Sequence, residues 1–353
     1  MKVALLAHDR FPIAAPFAGG LESFTWSLTV GLRRRGIEVV LFAGPGSDPH
    51  LEAEELAFTP PELSASARND VAMPPAHQVQ ETTAYLQAMR YLAERRDIDV
   101  IHNNSLHYLP IVLGQIAPQP LVTTLHSPPT PWMEPALKLT PSARTVAVSQ
   151  AVAEMWSHVT TATVIRNGVD LAEWRFGEGG DDLVWSGRIV PEKAPHIAAA
   201  IARTAGRRLV LAGPIIDGQY FASQVEPLLD ERIRHVGHLA NVDLQRLLAQ
   251  SAACLVTPAW DEPFGLVAAE AMSCGTPVLG LARAGLLEVV RPGAGILVPP
   301  GTSDEMTVAA AVAVLDDVVQ LDRRVVRAQA EHTLSLEDTV AAYVDLYGEL
   351  VGR

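Results

Sequence analysis

The chain has 353 residues, 48% of them hydrophobic and 19% charged, and a formal net charge of −13 at pH 7. That length is enough for two good-sized cores and hence two domains. The acidic balance argues against nucleic acid and anionic lipid as partners, since both need a basic surface.

In chain order, the apolar opening Met1 to Ala7 contains the first candidate strand, Val3 to Ala7. It is followed at once by His8-Asp9-Arg10 and is too short for a signal peptide. Arg33-Arg34-Arg35 ends a helix before Gly36, where cations complement the helix dipole. Further strands are expected at Glu38 to Phe42, Val100 to His102, Leu121 to Leu125, Arg144 to Val148 and Thr163 to Ile165. Residues 44–80, rich in Pro, Ala and acidic side chains, have no clear period and read as a long functional or surface loop. Asp97-Ile98-Asp99 lacks companion ligands and reads as a helix-to-strand turn, not a metal site. Arg166-Asn167-Gly168-Val169-Asp170 is a turn signal.

A second series of strands follows at Leu183 to Ser186, Arg208 to Ala212, Ile233 to Val236, Ala252 to Val256, Val278 to Gly280 and Ile296 to Val298. Short apolar runs alternating with helical patterns announce parallel α/β sheets. The expected fold class is therefore α/β with two Rossmann-like parallel-sheet domains, residues 1–170 and 171–335. A last helix, Leu336 to Leu350, carries Val340, Tyr343, Val344 and Tyr347 on one face. Cys254 and Cys274 read as reduced small hydrophobes, which suits a cytoplasmic enzyme. No run of 18 apolar residues occurs, so no membrane span is expected.

The most informative stretch is Asp261-Glu262-Pro263-Phe264-Gly265-Leu266-Val267-Ala268-Ala269-Glu270-Ala271-Met272-Ser273-Cys274-Gly275-Thr276-Pro277-Val278. A helix predicted over Phe264 to Ser273 puts Glu262 just outside its start and Glu270 inside it. The free N–H groups beside Gly265 form an anion site. Eight residues at helical rise span about 12 Å, roughly the reach from a sugar across a diphosphate to a ribose. Gly19-Gly20-Leu21-Glu22-Ser23 opens another helix, where backbone can approach a phosphate or sugar closely. Gly187-Arg188 and Lys193 follow a strand end, and their cations suit a diphosphate. His126 ends the strand Leu121 to Leu125, and Asn103, Asn104, Ser105 and His107 follow another strand end.

The E-x7-E phrase, with Gly19-Gly20-x-Glu22, Gly187-Arg188-x4-Lys193 and Asn167-Gly168-Val169-Asp170, resembles the retaining GT-B glycosyltransferases of the GT4 (glycosyl transferases group 1) family. The resemblance implies an acceptor-binding first domain, a donor-binding second domain and a terminal helix 336–350 that packs back on the first. It implies that Glu270 holds ribose hydroxyls, that Glu262 contacts the donor sugar, and that Arg188 and Lys193 neutralise the leaving diphosphate with no metal or other cofactor. His126 would lie beside the anomeric carbon. Phe264, Gly265, Leu266, Val267, Gly187, Gly19 and Gly20 complete the donor set, and Asn104, His107 and Glu22 are candidates for the acceptor pocket. Residues 44–80 are expected on the acceptor side of the cleft.

Departures from the family pattern are Ala284 for a glycine and Leu287 for the proline of its G-G-x-P-E phrase, which makes Glu288 a weaker candidate, and Ala194 for the glycine after the lysine. The expected reaction moves a hexose, from UDP-glucose first and GDP-mannose next, to a small soluble acceptor with retention. Alternatives are a nucleotide-sugar epimerase of related architecture and a non-catalytic nucleotide-sugar-binding protein. A pyridoxal-phosphate phosphorylase ranks lower, because only Lys2, Lys138 and Lys193 are available.

Overall fold

The computed structural model describes residues 1–55 and 62–352. The first sheet is built from β1 (Lys2–Leu6), β2 (Glu38–Ala43), β3 (Glu54–Glu55), β4 (Val100–Asn103), β5 (Leu121–Leu125), β6 (Arg144–Ala147) and β7 (Thr163–Val164), in the order β3-β2-β1-β4-β5-β6-β7. The second contains β8 (Leu183–Ser186), β9 (Leu209–Ala212), β10 (Ile233–His235), β11 (Ala253–Val256), β12 (Val278–Leu281) and β13 (Gly295–Val298), in the order β10-β9-β8-β11-β12-β13. Both sheets are parallel and both reverse strand order beside their first strand, between β1 and β4 and between β8 and β11. Such reversals open a crevice at the carboxyl edge.

Helices α1 (Gly20–Arg34), α2 (Ala65–Arg68), α3 (Ala76–Glu94), α4 (Tyr108–Leu113), α5 (Met133–Leu139) and α6 (Gln150–Trp156) belong to the first half. In the second are α7 (Pro195–Thr204), α8 (Gly218–Tyr220), α9 (Asn241–Ala249), α10 (Leu266–Ser273), α11 (Leu286–Val289), α12 (Asp304–Val319) and α13 (Arg323–Thr333). The strands are short and apolar because helices cover both faces; β1, β5 and β8 are almost wholly buried. The aperiodic segment 44–80 differs from its reading as one loop. It holds the edge strand β3, α2 and the start of α3, while 56–61 lie outside the described residues.

The last helix, α14 (Leu336–Leu350), packs on the first sheet through Val340, Tyr343 and Tyr347. Tyr347 Oη lies 2.6 Å from His102 Nδ1, and Thr124 Oγ1 bonds both His102 Nε2 (2.7 Å) and Tyr343 Oη (3.0 Å). Burial drives the His102 pKa down to about 3, so this network is neutral at physiological pH. The Asp97–Asp99 turn is a structural clasp, with Lys2 Nζ donating to Asp97 and Lys2 N–H to Asp99, both at 2.8 Å.

The chain crosses between the sheets twice, and the two crossovers run side by side. Val169 N–H donates to Leu334 O (2.8 Å) and Leu336 N–H to Val169 O (3.1 Å). The arginine run at the end of α1 does more than complement a dipole. Arg33 donates to Leu51 O (2.7 Å) within the first half, while Arg34 pairs with Asp170 (2.9 Å) and Arg35 donates to Glu337 O (3.0 Å), tying both crossovers to the end of α1. One buried cluster runs through both halves, with Leu125, Val148 and Trp156 on one side and Phe264, Met272 and Leu286 on the other.

A side chain at Gly168 would place its Cβ 2.4 Å from Ser335 O and 2.6 Å from Leu336 N, both backbone atoms. Gly168→Ala must therefore push the crossovers apart, at a cost of about 1–3 kcal/mol. A lowered Tm in calorimetry is the expected result; an unchanged Tm would show that the crossovers are not held this tightly.

Candidate functional site

The carboxyl edges of the two sheets face each other across a cavity of about 390 Å³. From the first half come Gly19, Gly20, Glu22 and His126, and from the second Gly187, Arg188, Lys193, Glu262, Phe264, Gly265, Leu266, Val267 and Glu270. Residues distant in sequence thus share one space. Asn104, His107 and Glu288 do not line it, and neither do residues 44–55 and 62–80.

Two helices aim their N-termini at this space. α10 begins at Leu266, two residues later than the periodicity predicts, because Gly265 adopts φ +98°, a left-handed conformation that a side chain would strain. At the other wall α1 starts at Gly20, whose missing Cβ would stand 3.0 Å from Leu266 Cδ1. Neither Gly19 nor Gly265 offers a side-chain cap. The first N–H groups of α10 are therefore open to an anion, whereas at the start of α1 the Glu22 carboxyl already accepts from its own N–H and that of Gly19.

The cations come from the loop after β8. Arg188 reaches Glu192 (Nη2 to Oε1, 3.5 Å) and Lys193 pairs with Glu262 (Nζ to Oε2, 2.6 Å). The loop is held from beneath by Thr257 Oγ1, which donates to Ala194 O (3.0 Å) and accepts from Trp185 Nε1 (3.1 Å). Ala194 and Ala284 both adopt left-handed backbone, φ +43° and +41°. They keep the path a glycine would take, at a steric cost of about 1–2 kcal/mol each.

On the opposite wall, His126 Nε2–H donates to Asn104 Oδ1 (2.8 Å) and the ring packs edge-on against Phe24 at 4.9 Å. Burial lowers its pKa to about 3, with His8 adding to the effect, so it faces the cavity as a neutral imidazole. Asn104 therefore supports His126 from behind instead of lining an acceptor pocket. His107 has a structural place as well, since its Nδ1 accepts from Leu109 N–H and its ring stacks between Tyr85 and Tyr108. Glu22 does face the cavity. Burial raises its pKa, partly offset by its own backbone N–H and by Arg188. Glu288 accepts from the N–H groups of Gln150 (3.0 Å) and Ala151 (2.8 Å), capping α6 across the interface.

Comparison with known proteins bears on this geometry directly. Residues 18–173 match the family described as Glycosyltransferase Family 4, and residues 170–332 match Glycosyl transferases group 1. The chain belongs to the GT4 type of GT-B glycosyltransferases. It is 28% identical to a glycogen synthase of Mycobacterium tuberculosis, over 92% of this chain and 88% of the relative. It is also 28% identical to a D-inositol 3-phosphate glycosyltransferase of Mycobacterium marinum, over 99% and 86%. Among solved structures, AviGT4, a glycosyltransferase involved in avilamycin A biosynthesis, superposes with a TM-score of 0.72 at 25% identity, covering 99% of this chain and 98% of that one.

Within this GT-B glycosyltransferase, several lining residues escape sequence reasoning. Trp260 donates from Nε1 to Glu262 (3.0 Å), and His238 Nε2 bridges the cleft mouth to Phe17 O (3.0 Å). Gly213 packs against Gly187, and a Cβ there would fall 1.7 Å from Gly187 O. No motif marks them: His238 and Gly213 matter through neighbours far away in sequence, and Trp260 through a carboxylate that also holds the distant Lys193. Among the described residues no cluster of three His, Cys, Asp or Glu is arranged to hold a metal, and no helix is long and apolar enough to cross a membrane.

Glu270 is 8% exposed, on the inner face of α10. Burial raises its pKa to about 8, with Glu173 reinforcing the shift. The native state thus holds a proton that the unfolded chain releases near pH 4.5. The protonated form's stability is fully present below that value and is lost as pH rises through about 8. Glu270→Gln, neutral at every pH, is expected to match the parent near pH 4.5 and to exceed it by on the order of 2 kcal/mol at pH 8.5. Thermal unfolding across this range checks it; parallel profiles for the two proteins would refute the buried, proton-holding carboxyl.

Proposed function

We propose that the protein is a retaining, metal-independent hexosyltransferase. Its donor is a nucleoside-diphosphate sugar, UDP-glucose ahead of GDP-mannose, and its acceptor is a hydroxyl of a small soluble molecule. The observation that carries this reading is the convergence of the open N-terminus of α10, the glycine start of α1 and the cations Arg188 and Lys193 on one cavity, with Glu270 deeper along α10. Those groups together fit a diphosphate with a ribose at one end and a sugar at the other. A relative named for D-inositol 3-phosphate supports a small acceptor, and the acidic chain, at −13, favours a soluble one over a lipid surface.

In this mechanism Glu270 receives the ribose hydroxyls and Glu262 those of the donor sugar. The bond from the anomeric carbon to the β-phosphate oxygen breaks, and its electron pair stays with the departing diphosphate. Arg188, Lys193 and the N–H groups at the start of α10 face that growing charge from fixed positions, which is where preorganised electrostatics accelerates a reaction. The acceptor oxygen bonds the anomeric carbon from the same face, and its proton passes to the departing phosphate oxygen. His126 contributes from the first half of the chain as a neutral hydrogen-bonding group beside the anomeric carbon.

Interactions that matter only in the transition state appear in kcat. Arg188→Ala, Lys193→Ala and His126→Ala are each expected to lower kcat by about 10²-fold. His126→Ala should leave the affinity for the donor nearly unchanged, and the two cation variants should lose far more turnover than affinity. Single-turnover assays beside calorimetric donor titration, run with and without a chelator, test this. Full activity of the variants, or loss of parent activity on chelation, would contradict it.

A further inference from the structure

Lys193 Nζ and Trp260 Nε1 converge on the same oxygen, Glu262 Oε2, at 2.6 and 3.0 Å. Lys193 Nζ also stands 5.0 Å from the centre of the Trp260 ring. All three side chains line the cleft, and Glu262 is only 9% exposed. No described hydrogen bond uses Glu262 Oε1. An indole offers two separate interactions here: one N–H that can only donate, and a π face that attracts a cation.

The triad has a consequence for the empty and the occupied site. Without a donor, the lysine charge is balanced by Glu262. A bound diphosphate competes for that cation, and as Lys193 turns toward it, Glu262 Oε2 would lose its strongest partner. The indole N–H is the contact that then remains, holding the carboxylate in place with Oε1 directed at the sugar. We infer that Trp260 is a positioning residue, which fixes Glu262 for the donor sugar and so lets the site distinguish a nucleotide sugar from the bare nucleoside diphosphate. This rests on the donor reading above and adds to it a residue that acts through Glu262.

Two variants separate the halves of the indole. Trp260→Phe keeps a ring beside Lys193 and removes the N–H; Trp260→Leu removes both. The titrants are UDP and UDP-glucose, with GDP and GDP-mannose as a second pair, followed by steady-state kinetics with whichever donor binds. For Trp260→Phe the diphosphate affinity is expected to stay within about two-fold of the parent. Affinity for the corresponding sugar nucleotide should fall about ten-fold, appearing in KM more than in kcat. Trp260→Leu should show the same loss together with a lower kcat, because Lys193 is no longer held beside the ring.

Equal loss for diphosphate and sugar nucleotide in Trp260→Phe would mean a merely structural tryptophan, and no loss for either would remove it from the site. Either result overturns this inference while leaving the donor reading intact. A folded parent that binds neither pair would overturn the donor reading, and this inference with it.

Discussion

Two short backbone hydrogen bonds, from Val169 to Leu334 and from Leu336 to Val169, lock the two crossovers together between the sheets. Because the crossovers are paired, the carboxyl edges of both sheets point at one space, and every side chain of the cleft takes its position from that fact. Gly168 makes the pairing possible by leaving room for Ser335 and Leu336. Arg34 and Arg35 secure the same junction from the end of α1, and the buried cluster from Leu125 to Leu286 backs it with apolar contact. An interface so apolar restricts the relative movement expected of loosely joined domains.

The second theme is charge held ready. The cavity carries two cations, and each has a carboxylate partner: Glu192 for Arg188 and Glu262 for Lys193. Glu270 keeps its proton because burial and Glu173 oppose its ionisation. His126 is neutral for the same reason of burial. A ligand that brings negative charge thus replaces existing partners with little rearrangement, which is the arrangement electrostatic preorganisation requires.

Much of this was legible in the sequence, and the exceptions have physical causes. Buried parallel strands are continuous apolar runs, so β5 and β8 fall where the pattern places them, and Leu336–Leu350 is helical over its whole predicted length. The two-residue β3 has no period to detect, and α3 begins inside a stretch dominated by proline and acidic residues. α10 starts late because periodicity continues through Gly265 while the backbone does not. The residues with motif spacing line the cleft, whereas Asn104 and His107 do not. Position after a strand end places a residue near the crevice but does not say whether its side chain turns toward the ligand or back to support a neighbour. Trp260 and Gly213 carry no motif signal for the converse reason, since Lys193 beside the Trp260 ring and Gly187 beside Gly213 are brought there by packing. Ala194 and Ala284, which stand where the family pattern has glycine, both keep a left-handed backbone.

A nucleotide-sugar site in the cleft must respond to nucleotides. A ligand that binds only the native state raises its apparent stability by an amount set by its concentration over Kd. The most direct measurement is therefore a thermal-shift series over UDP, GDP, their sugar conjugates, free hexoses and inorganic phosphate. The predicted result is a rise in Tm for one nucleoside diphosphate and its sugar conjugate, with little change for the free sugars or phosphate. A folded protein whose Tm is unmoved by every nucleotide would contradict the central claim.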